Sequence, residues 1–516
     1  MPYDAPQAGQ ERTLPFVRGV PYSVRRASSI FNRPQEKGWP SLASDKDKTS
    51  RTRTDGKTRP FSLLLDRPAA IVKSPLNMEI RMHKDFLNVL AVDDVISRLL
   101  DFAPLPAERR SLADLAAGSV VAETLIAPED LPPANRSGMD GYAVRAADLF
   151  GASEFNPVWL DCVGEIAIDR PPCFTLEAGQ CAAIVTGGHL PDGADAVIMV
   201  EHTKPFGAGV IEMRRSVAPG EYVMFKGEDA TAGQPLLTAG TLLRAQEIGL
   251  LAAVGMMEVP VIRRPRVSLL STGDELVPPG TRPEPGQIRD VNTSALAAMI
   301  APHAEVTAFG IAPDRLEPLK AALDEALQGK NGTPADVVFL SGGSSIGVRD
   351  LTLEALQSLG DTEILCHGVA LSPGKPLILA RCRQTLVWGL PGQVASAQVV
   401  MLILGLPFLR HLAGHSLAAL RDGKTQNGTA FDQRRWPSRP AMLSRNIASR
   451  QGREDYVRVR LDIPENPGEL PRAVPVPGLS GLLRTLLDAE GVIRIPARLE
   501  GLEAGTTVET LLFDKG

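Results

Sequence analysis

Between residues 259 and 412 the apolar residues switch repeatedly between two spacings. Short apolar runs typical of strands alternate with segments whose apolar residues recur every three to four positions, as in amphipathic helices. This alternation predicts a parallel sheet covered by helices, with a ligand crevice at the carboxyl ends of its strands. The predicted strands are VPVIRRPRVSLLST, AEVTAFGIAPD and ADVVFLSGG, and the predicted helices are ALAAMIAPH, RLEPLKAALDEALQG, DLTLEALQSLG and ASAQVVMLILGLPFLRHLAG.

The remaining parts of the chain carry shorter elements separated by Gly and Pro. Residues about 125–217 and 435–516 show brief β-like runs, which predict a small, mostly β domain and a small β-barrel or sandwich. Helical patterns occur at VDDVISRLLDF, SLADLAAGSVVAE and RAQEIGLLAAVG. We therefore expect a multidomain α/β chain with a helical or linker module (78–124 plus 218–257), an inserted β domain (125–217), an α/β domain (258–415) and a C-terminal β domain (430–516).

Residues 1–77 differ from the rest in composition, being rich in Arg, Pro, Ser and Thr. They hold 14 Lys/Arg and 7 Asp/Glu, a balance of +7, whereas the remainder holds 41 and 53, a balance of −12. This composition predicts a disordered extension, and its acidic residues argue against a transit peptide. Two alternatives stay open: a natural start at Met78 or Met82, and a basic tail that docks an acidic partner.

Composition argues against several other classes of protein. The acidic body disfavours nucleic acid as the main partner, and no stretch has the roughly 18 uninterrupted apolar residues of a membrane helix. The five cysteines form no CxxC pair, and only His411 and His415 stand at helical i,i+4 spacing, so a disulfide framework or zinc site is not expected. We expect a cytoplasmic protein that uses neither nucleic acid nor a membrane.

One predicted strand end has the features of a phosphate site. The buried run VVFL leads into Ser341, Gly342, Gly343 and Ser344, and a helix is expected to begin near Asp350. Paired glycines let backbone N–H groups approach an anion closely, and a helix N-terminus adds partial positive charge. An ordinary glycine turn after a strand would explain the same residues, so the spacing alone does not decide between them.

Two rigid turns are expected at the same edge of the sheet. In LSPGKPLI the residues Pro373 and Pro376 clamp the turn, Gly374 allows close approach, and Lys375 offers an ammonium group. The second turn, GLPGQVASA, contains Pro391. The alternative for Lys375 is a solvated lysine on a surface turn.

Acidic residues stand at the ends of several predicted elements, namely Asp229, Asp274, Glu275, Asp290 and Asp314. A single carboxylate at a helix start is often only an N-cap. Several carboxylates beside a phosphate loop instead suggest Mg²⁺, which takes one or two carboxylates together with substrate phosphates. The sequence leaves both interpretations open for each acid.

The segment LPPANRSGMDGYAVR (131–145) combines a stiff proline lead-in with a polar, glycine-flanked kink. Its polar side chains are suited to contact a ligand, although an ordinary turn into a strand is the simpler interpretation. A second polar turn, in CAAIVTGGHLPDGADAV, carries Thr186 and could equally be a plain connection between strands. The candidate residues in the first segment are Asn135, Arg136, Ser137 and Asp140.

Taken in order, these segments resemble the molybdopterin molybdenumtransferase family, which includes the MoeA proteins and the gephyrin E domain. The resemblance covers roughly Val92 to the C-terminus. Its motifs are LPPANRSGMDGYAVR, TGGHLPDGADAVIMVE, KGEDATAG, STGDELV, RDVNTSAL, SGGSSIGVRD, SPGKP, LPG and GREDYVRVR.

The resemblance implies an elongated, MoeA-like subunit in which a helical module is interrupted by a β domain and followed by a molybdopterin-binding α/β domain and a C-terminal β domain. It also implies a homodimer, with one subunit supplying the α/β crevice and the other the β-domain loop. The implied reaction inserts molybdenum from molybdate into adenylylated molybdopterin, releases AMP and requires Mg²⁺. Molybdoenzymes or other proteins of the cofactor pathway are the implied protein partners.

When the motifs are matched, the family's functional residues fall on positions of this chain that would bind Mg²⁺ and the adenylate, the oxyanion, or the pterin. We expect Asp229, Asp274 and Glu275 to hold Mg²⁺ and the adenylate, Lys375 to bind the oxyanion, and Asp350 to orient the pterin. The catalytic set is Asp229, Glu275, Asp314, Asp350 and Lys375. The substrate-binding set is Asn135, Arg136, Ser137, Asp140, Thr186, Asp290, Ser341, Gly342, Gly343, Ser344, Pro373, Gly374 and Pro391.

The chain departs from the family pattern at three places. Ala134-Asn135-Arg136-Ser137 stands where Phe-Asp-Asn-Ser is frequent, Ser372 stands where a basic residue is common, and Gln393-Val394 replaces Asn-Pro. We hypothesise that Arg136 supplies the missing cation from across the dimer. The departures also leave open a non-catalytic paralogue that binds molybdopterin as a carrier, scaffold or regulator, and a tungsten-inserting variant.

Overall fold

The computed structural model describes residues 89–207, 209–342, 346–415, 437–466 and 468–513. All of them belong to one unit of the chain, Met82–Gly516. The predictions for residues 1–77 and for a start at Met78 or Met82 lie outside the described residues, as do Gly343 and Ser344.

The first helix, α1 (Val92–Leu100), confirms the helix predicted at this position. Its side chains Val92, Val95, Ile96 and Leu99 recur at helical spacing and are all buried. They join the hydrophobic cluster of the later α/β domain, which includes Phe339 and Trp388. The helix is therefore stabilised by tertiary packing rather than by its own propensity alone.

The helix predicted at SLADLAAGSVVAE is wrong. The chain instead forms β1 (Ala107–Ser111), a 3₁₀ turn at Leu112–Asp114 and β2 (Leu125–Ile126). β1 pairs antiparallel with Glu258–Ile262 and reaches only the first residue of the predicted helix. Within the rest of that segment, Gly118 takes a φ of +99°, and Val120 and Val121 form bridges to Leu242 and Val261. Pairing with a strand distant in sequence thus outweighs local helix propensity, which is only a weak prior.

The inserted segment forms short strands, as predicted. Six of them make one sheet, in the order β7-β4-β6-β5-β9-β8, with hydrophobic clusters centred on Leu160 and Ile184. The strands are β3 (Arg136–Ser137), β4 (Gly141–Val144), β5 (Val158–Ile166), β6 (Gln180–Ile184), β7 (Ala196–Met199), β8 (Thr203–Pro205) and β9 (Val210–Met213), with 3₁₀ turns at Ala146–Leu149 and Val200–His202.

The chain then returns to the module it left, through β10 (Val223–Met224), β11 (Pro235–Leu237), α2 (Ala245–Ala253) and β12 (Glu258–Ile262). The helix α2 confirms the prediction at RAQEIGLLAAVG. β10 pairs with β3, β11 with β2 and β12 with β1, so segments from both sides of the inserted sheet hold this module together. The predicted strand VPVIRRPRVSLLST is in fact two strands, because residues 263–265 separate β12 from β13 (Arg266–Thr272).

A mixed sheet of six strands, in the order β16-β13-β17-β21-β20-β18, forms the centre of the α/β domain. The first four strands are parallel, which confirms the prediction. The reversed strand β20 corrects it, because β20 runs antiparallel to both of its neighbours, β21 and β18. A tight turn with Arg383 at φ +56° reverses the chain between β20 and β21. The elements are β14 (Leu276–Val277), β15 (Ile288–Arg289), α3 (Asn292–Ile300), β16 (Glu305–Ala312), α4 (Leu316–Gln328), a 3₁₀ turn (Lys330–Gly332), β17 (Val337–Gly342), α5 (Ile346–Ser358), β18 (Thr362–His367), β19 (Leu371–Ser372), β20 (Ile378–Cys382), β21 (Thr385–Leu390), α6 (Val394–Val400), a π-helical turn (Met401–Gly405) and α7 (Leu406–Leu412).

The two faces of this sheet are covered by separate hydrophobic clusters. One contains Phe339 and Trp388 with residues of α1, α3, α6 and α7, and the other contains Val338 and Leu340 with residues of α4 and α5. By length and composition, Val394–Leu412 is one candidate membrane span, but 83% of its most apolar window is buried inside the protein. It is therefore a core helix of the α/β domain, apolar because both the sheet and neighbouring helices cover it.

The C-terminal strands close into a barrel, which decides between the two architectures that the sequence left open. Hydrogen bonding runs from β24 through β25, β22, β28 and β26 and back to β24. β19 of the α/β domain adds to the free side of β24, with Leu371 opposite Glu454 and Ser372 opposite Asp455. The elements are β22 (Ser438–Leu443), β23 (Ile447–Ala448), β24 (Glu454–Asp462), β25 (Arg472–Pro475), α8 (Arg484–Leu487), β26 (Gly491–Ile495), β27 (Gly501–Leu502) and β28 (Thr507–Leu512).

A two-pronged ion pair joins the strand break after β12 to the start of β17. Arg263 donates from both terminal nitrogens to Asp336 at 2.6 Å, and only about 15% of each side chain is exposed. Asp336 also accepts the backbone N–H of Arg266 at 2.8 Å. This contact raises the pKa of Arg263 through its hydrogen bond to the Asp336 carboxylate, so the guanidinium is held in its charged form.

We expect Asp336→Ala to lower the free energy of unfolding by about 3 kcal/mol, because it leaves the largely buried guanidinium of Arg263 without its counter-ion. Chemical denaturation followed by fluorescence would measure the change. Asp462→Ala is the control, since it removes a half-exposed pair with Arg460 and should cost less than about 1 kcal/mol. Equal losses in the two variants would contradict this assignment.

Candidate functional site

A cleft of about 370 Å³ opens at the carboxyl ends of β13, β16 and β17, and we call it the strand-end cleft. Thr272 at the end of β13 lies in register with Ala312 of β16 and Gly342 of β17, which brings the three strand ends to one edge. This location confirms the predicted crevice. Its lining includes Thr272, Glu275, Asp290, Asn292, Asp314, Ser341, Gly342, Gly392 and Gln393.

Gly342 is required where β17 meets β13. Its φ is +131°, and a Cβ placed on it would lie 2.0 Å from the carbonyl oxygen of Thr272. Any side chain here would force the two strand ends apart. The preceding Ser341 is buried, and α5 begins at Ile346, four residues before the predicted start near Asp350. The backbone of Asp350 therefore lies inside α5, and its side chain is outside the described part of the structure.

Asp314 and Asp274, predicted from separate strand ends, are brought together. Thr272 donates its hydroxyl to Asp314 Oδ1 at 2.6 Å, and the backbone N–H of Asp314 donates to Asp274 Oδ1 at 3.1 Å. Glu275 follows Asp274 and also lines the cleft, with an exposed side chain. One edge of the cleft thus carries two carboxylates, Glu275 and Asp314, and Asp274 lies directly behind Asp314, whose carboxylate is held by the Thr272 hydroxyl.

Asp290 and Asn292 form the opposite wall. Both oxygens of Asp290 are used at the start of α3, where they accept the backbone N–H of Thr293 at 3.1 Å and its hydroxyl at 2.6 Å. This arrangement is the capping role that the sequence left as the alternative for Asp290. Asn292 donates to Ser341 Oγ at 2.7 Å and to the Gly392 carbonyl at 2.8 Å, so it ties the glycine strand end to the second rigid turn.

A second cleft, of about 620 Å³, lies between the α/β domain and the barrel, and we call it the basic cleft. Pro373, Gly374, Lys375 and Pro391 line it, as expected for two rigid turns at one edge. A Cβ on Gly374 would lie 2.6 Å from a methyl group of Val400, which explains the glycine in this turn. Gln393 lines both clefts and therefore marks where they adjoin.

The residues of the basic cleft that the sequence analysis missed include two arginines and two serines. Arg450 and Arg453 come from the turn before β24, Ser396 from α6 and Ser480 from the barrel. Arg453 donates from a terminal nitrogen to Asp455 Oδ2 at 3.3 Å, and its Nε lies 2.9 Å from Oδ1 of the same carboxylate. Among the residues that the structure describes, no ion pair involves Lys375 or Arg450. The motif GREDYVRVR contains Arg453, but nothing in the spacing of the motif indicated that this arginine lines the same cleft as Lys375.

In the β domain, the segment 131–145 and the turn at Thr186 form one unit. Asp140 Oδ1 accepts the backbone N–H of Thr186 at 2.6 Å and its hydroxyl at 2.8 Å. These bonds, the backbone one first, lower the pKa of Asp140 below its ordinary value. The buried Ser137 hydroxyl is used locally, donating to the Met139 carbonyl at 2.5 Å. Asp140 is therefore a clamp on the turn, and Thr186 is exposed beside it.

Arg136 and Asn135, the two departures in this segment, also make contacts within the chain. Arg136 donates to the Gly187 carbonyl at 3.0 Å, and a second nitrogen lies 3.1 Å from His189 Nε2. Asn135 accepts the backbone N–H of Lys226 at 3.0 Å. Arg136 thus stabilises the same turn that Asp140 clamps, and the hypothesis that it acts across a dimer remains a prediction.

Asp229 stands apart from the other predicted metal ligands. Its backbone N–H donates to the Leu131 carbonyl at 2.9 Å, which places it beside the proline lead-in rather than beside Asp274 and Glu275. Over the described ranges, no group of three or more His, Cys, Asp or Glu residues could hold a metal ion. An ion that takes one or two carboxylates plus substrate phosphates fits the edge formed by Glu275 and Asp314.

Three family models match successive parts of the chain. Residues 90–255 match the MoeA N-terminal region (domains I and II), residues 268–411 a probable molybdopterin-binding domain, and residues 440–513 the MoeA C-terminal region (domain IV). A molybdopterin molybdenumtransferase 2 of Mycobacterium tuberculosis is 34% identical over 399 residues, which cover 76% of this chain and 92% of that protein. A molybdopterin molybdenumtransferase of Bacillus subtilis is 30% identical over 434 residues, covering 82% and 94%.

Solved structures agree with these matches. The crystal structure of a molybdopterin biosynthesis MoeA protein from Pyrococcus horikosii superposes with a TM-score of 0.66 at 34% identity. The superposition covers 83% of this chain and all of that one. The order of parts expected from the motifs is thereby confirmed.

We expect Asp140→Asn to increase hydrogen exchange at the Thr186 amide several-fold at neutral pH, because the amide group is a weaker acceptor than the carboxylate. Since the folded pKa of Asp140 is lowered, the clamp contributes fully above about pH 4 and is lost as the pH falls through the lowered value. Exchange followed by mass spectrometry, corrected for the intrinsic rate, would measure both effects. Asp192→Asn is the control. An unchanged exchange rate at the Thr186 amide in Asp140→Asn would disprove that Asp140 holds this turn.

Proposed function

The chain belongs to the molybdopterin molybdenumtransferase family, and from this membership we propose that it inserts molybdenum from molybdate into adenylylated molybdopterin with release of AMP. The relatives named molybdopterin molybdenumtransferase place the chain among the transferases of molybdenum cofactor biosynthesis. The observation that carries the finer proposal is the junction of two unlike clefts at Gln393. The strand-end cleft is suited to a phosphorylated pterin, and the basic cleft is suited to an oxyanion.

In the basic cleft, Lys375, Arg450 and Arg453 supply positive charge, while Ser396 and Ser480 supply hydroxyl donors. Molybdate is a tetrahedral dianion, and charge-assisted hydrogen bonds from cations and hydroxyls are the contacts that hold such a group. Because Arg453 already faces Asp455, Lys375 and Arg450 carry most of the charge that is left for a ligand. We therefore assign molybdate to this cleft.

In the strand-end cleft, the end of β17 at Gly342 would hold the pterin phosphate, and the acidic edge would face the adenylate. Positioning matters here because the reacting groups must be held close and aligned for metal transfer. Asn292 links the phosphate strand end to the Gly392 turn, so it fixes the distance between the two substrates. Glu275 and Asp314 would hold Mg²⁺, which neutralises phosphate charge when bound.

We further propose a homodimer in which the β domain of one subunit completes the strand-end cleft of the other. Asp140 holds Thr186, the Asp229 backbone bonds to Leu131 of the proline lead-in, and none of the three residues lines the strand-end cleft of its own chain. The partner subunit's Asp229 would then join Glu275 at the ion. The protein would act in the cytoplasm, and molybdoenzymes or other proteins of the cofactor pathway would receive its product.

The direct test incubates purified protein with adenylylated molybdopterin, Mg²⁺ and molybdate, and measures AMP. Molybdate-dependent AMP release would support the enzyme. Tight pterin binding without AMP release would support the carrier, scaffold or regulator instead, which the Ser372 and Gln393-Val394 departures favour. Tungstate in place of molybdate tests the tungsten-inserting variant.

We expect Asp314→Asn to reduce AMP release roughly 10- to 100-fold, because it removes a positioned charge from the acidic edge. Pterin binding, measured by fluorescence quenching, should change much less. Asp169→Asn is the matched control, since this exposed acid lies in a turn of the β domain. An Asp314→Asn enzyme as active as the control would exclude this carboxylate from the reaction.

We expect Arg450→Ala to raise the KM for molybdate about tenfold and to leave kcat little changed, because it removes one charged donor to the bound oxyanion. Arg439→Ala, an exposed arginine on the barrel, is the control. Arg136→Ala is measured alongside. If Arg136→Ala raises the KM and Arg450→Ala does not, the missing cation comes from Arg136 and the assignment of Arg450 is wrong. Full molybdate-dependent activity in Arg136→Ala would remove Arg136 from the site.

A further inference from the structure

Two cysteines of the β domain face each other on neighbouring strands. Cys162 in β5 and Cys181 in β6 are directly in register in a parallel pairing. Both are free thiols, and Cys162 packs against the hydrophobic cluster that contains Cys181. The proposed reaction uses neither of them, so the following inference stands independently of it.

Both side chains lie on the same face of the sheet. Cys181 is fully buried in the cluster that contains Leu160 and Val144, and Cys162 packs against that cluster. Neighbouring strands are about 4.8 Å apart, which falls within the Cα–Cα range of about 4.4–6.8 Å seen in disulfides. The pairing becomes irregular directly after Cys162, where the register shifts before Glu165, so the backbone there is not held by a regular ladder.

The two thiols differ in access to solvent. Cys162 is half-buried and can be reached from outside, whereas Cys181 is sealed beneath it. Burial raises the pKa of Cys181 far above its ordinary value, and the neighbouring Cys162 adds to the effect. Cys162 is therefore the thiol that reacts first with a soluble partner, and Cys181 is placed to resolve the product.

We propose that Cys162 and Cys181 form a redox-active pair that is converted to an intramolecular disulfide by low-molecular-weight disulfides such as oxidised glutathione. The Cys162 thiolate attacks one sulfur of the oxidant, forming a mixed disulfide and releasing one thiol. Cys181 then attacks the Cys162 sulfur, loses its proton and releases the second thiol. One oxidant molecule is reduced to two thiols while the two cysteine thiols are oxidised to one disulfide.

The bond would form directly beneath the segment that carries Asp140. Tyr142 of β4 neighbours both thiols, and β6 continues from Ile184 to Thr186, which Asp140 holds. A covalent link between β5 and β6 would therefore restrain the strand that leads into this turn.

Endoproteinase cleavage after Glu165, Glu177 and Glu201 separates the three cysteines of this region, because Cys162, Cys173 and Cys181 then fall on different peptides. The reduced full-length protein is incubated with mixtures of oxidised and reduced glutathione, alkylated and digested without reduction. Mass spectrometry should find peptide 155–165 joined to peptide 178–201, with loss of two thiols per chain. Cross-linking through the Cys173 peptide, or glutathione retained on Cys162 without a bridge, would overturn the proposal.

Two variants sharpen the test. Cys173→Ser removes an exposed thiol and should leave bridge formation unchanged. Cys181→Ser should trap the glutathione adduct on Cys162, since no second thiol can resolve it. If Cys181→Ser fails to fold, the digest of Cys173→Ser still tests the proposal. In that variant, Cys162 and Cys181 are the two cysteines left in this region, so a bridge within it can form only between them.

Discussion

The contact between the ends of β13 and β17 is the constraint on which the strand-end cleft depends. The Thr272 carbonyl occupies the space that a side chain on Gly342 would need, so the two strands can lie in register only with glycine at this position. That register sets the position of the Thr272 hydroxyl, which holds Asp314, and of Ser341, which Asn292 contacts. Because Gly342 has no side chain, the ends of three strands and the start of α3 can lie at one edge of the sheet.

Much of the α/β domain could be predicted from its sequence because its strands and helices have distinct apolar spacings. The helix α4 buries the face that its periodicity indicates, and β17 is buried along almost its whole length, as its continuous apolar run indicates. The predicted helix at SLADLAAGSVVAE failed because Val120 and Val121 form bridges to residues far along the chain, Leu242 and Val261. Local propensity carries no information about such a partner, and the same limitation hid the barrel closure at β24 and β26.

The residues of the candidate site likewise divide into those that the sequence could place and those that it could not. Residues at the end of a strand or just after it, such as Ser341 and Asp314, could be placed at the crevice because parallel strands end at a common edge. Arg450 and Ser480 could not, because they reach the basic cleft only through packing of the barrel against the α/β domain. Asp290 was identified as polar and well placed, but its carboxylate is used as a helix cap. Which of two chemically reasonable roles a residue takes is decided by its neighbours in space.

The pairing of β19 with β24 has a consequence for how these proteins can vary. Leu371 and Ser372, which lead into the Lys375 turn, are hydrogen-bonded to the barrel as an additional strand. The barrel is therefore not a separable appendage, because part of its sheet is encoded far upstream in another domain. A chimera that exchanges the last domain at residue 437 would keep the closed ring of strands but place a foreign edge beside β19. Exchange of the barrel between relatives should succeed only when β19 and the barrel are taken from the same protein.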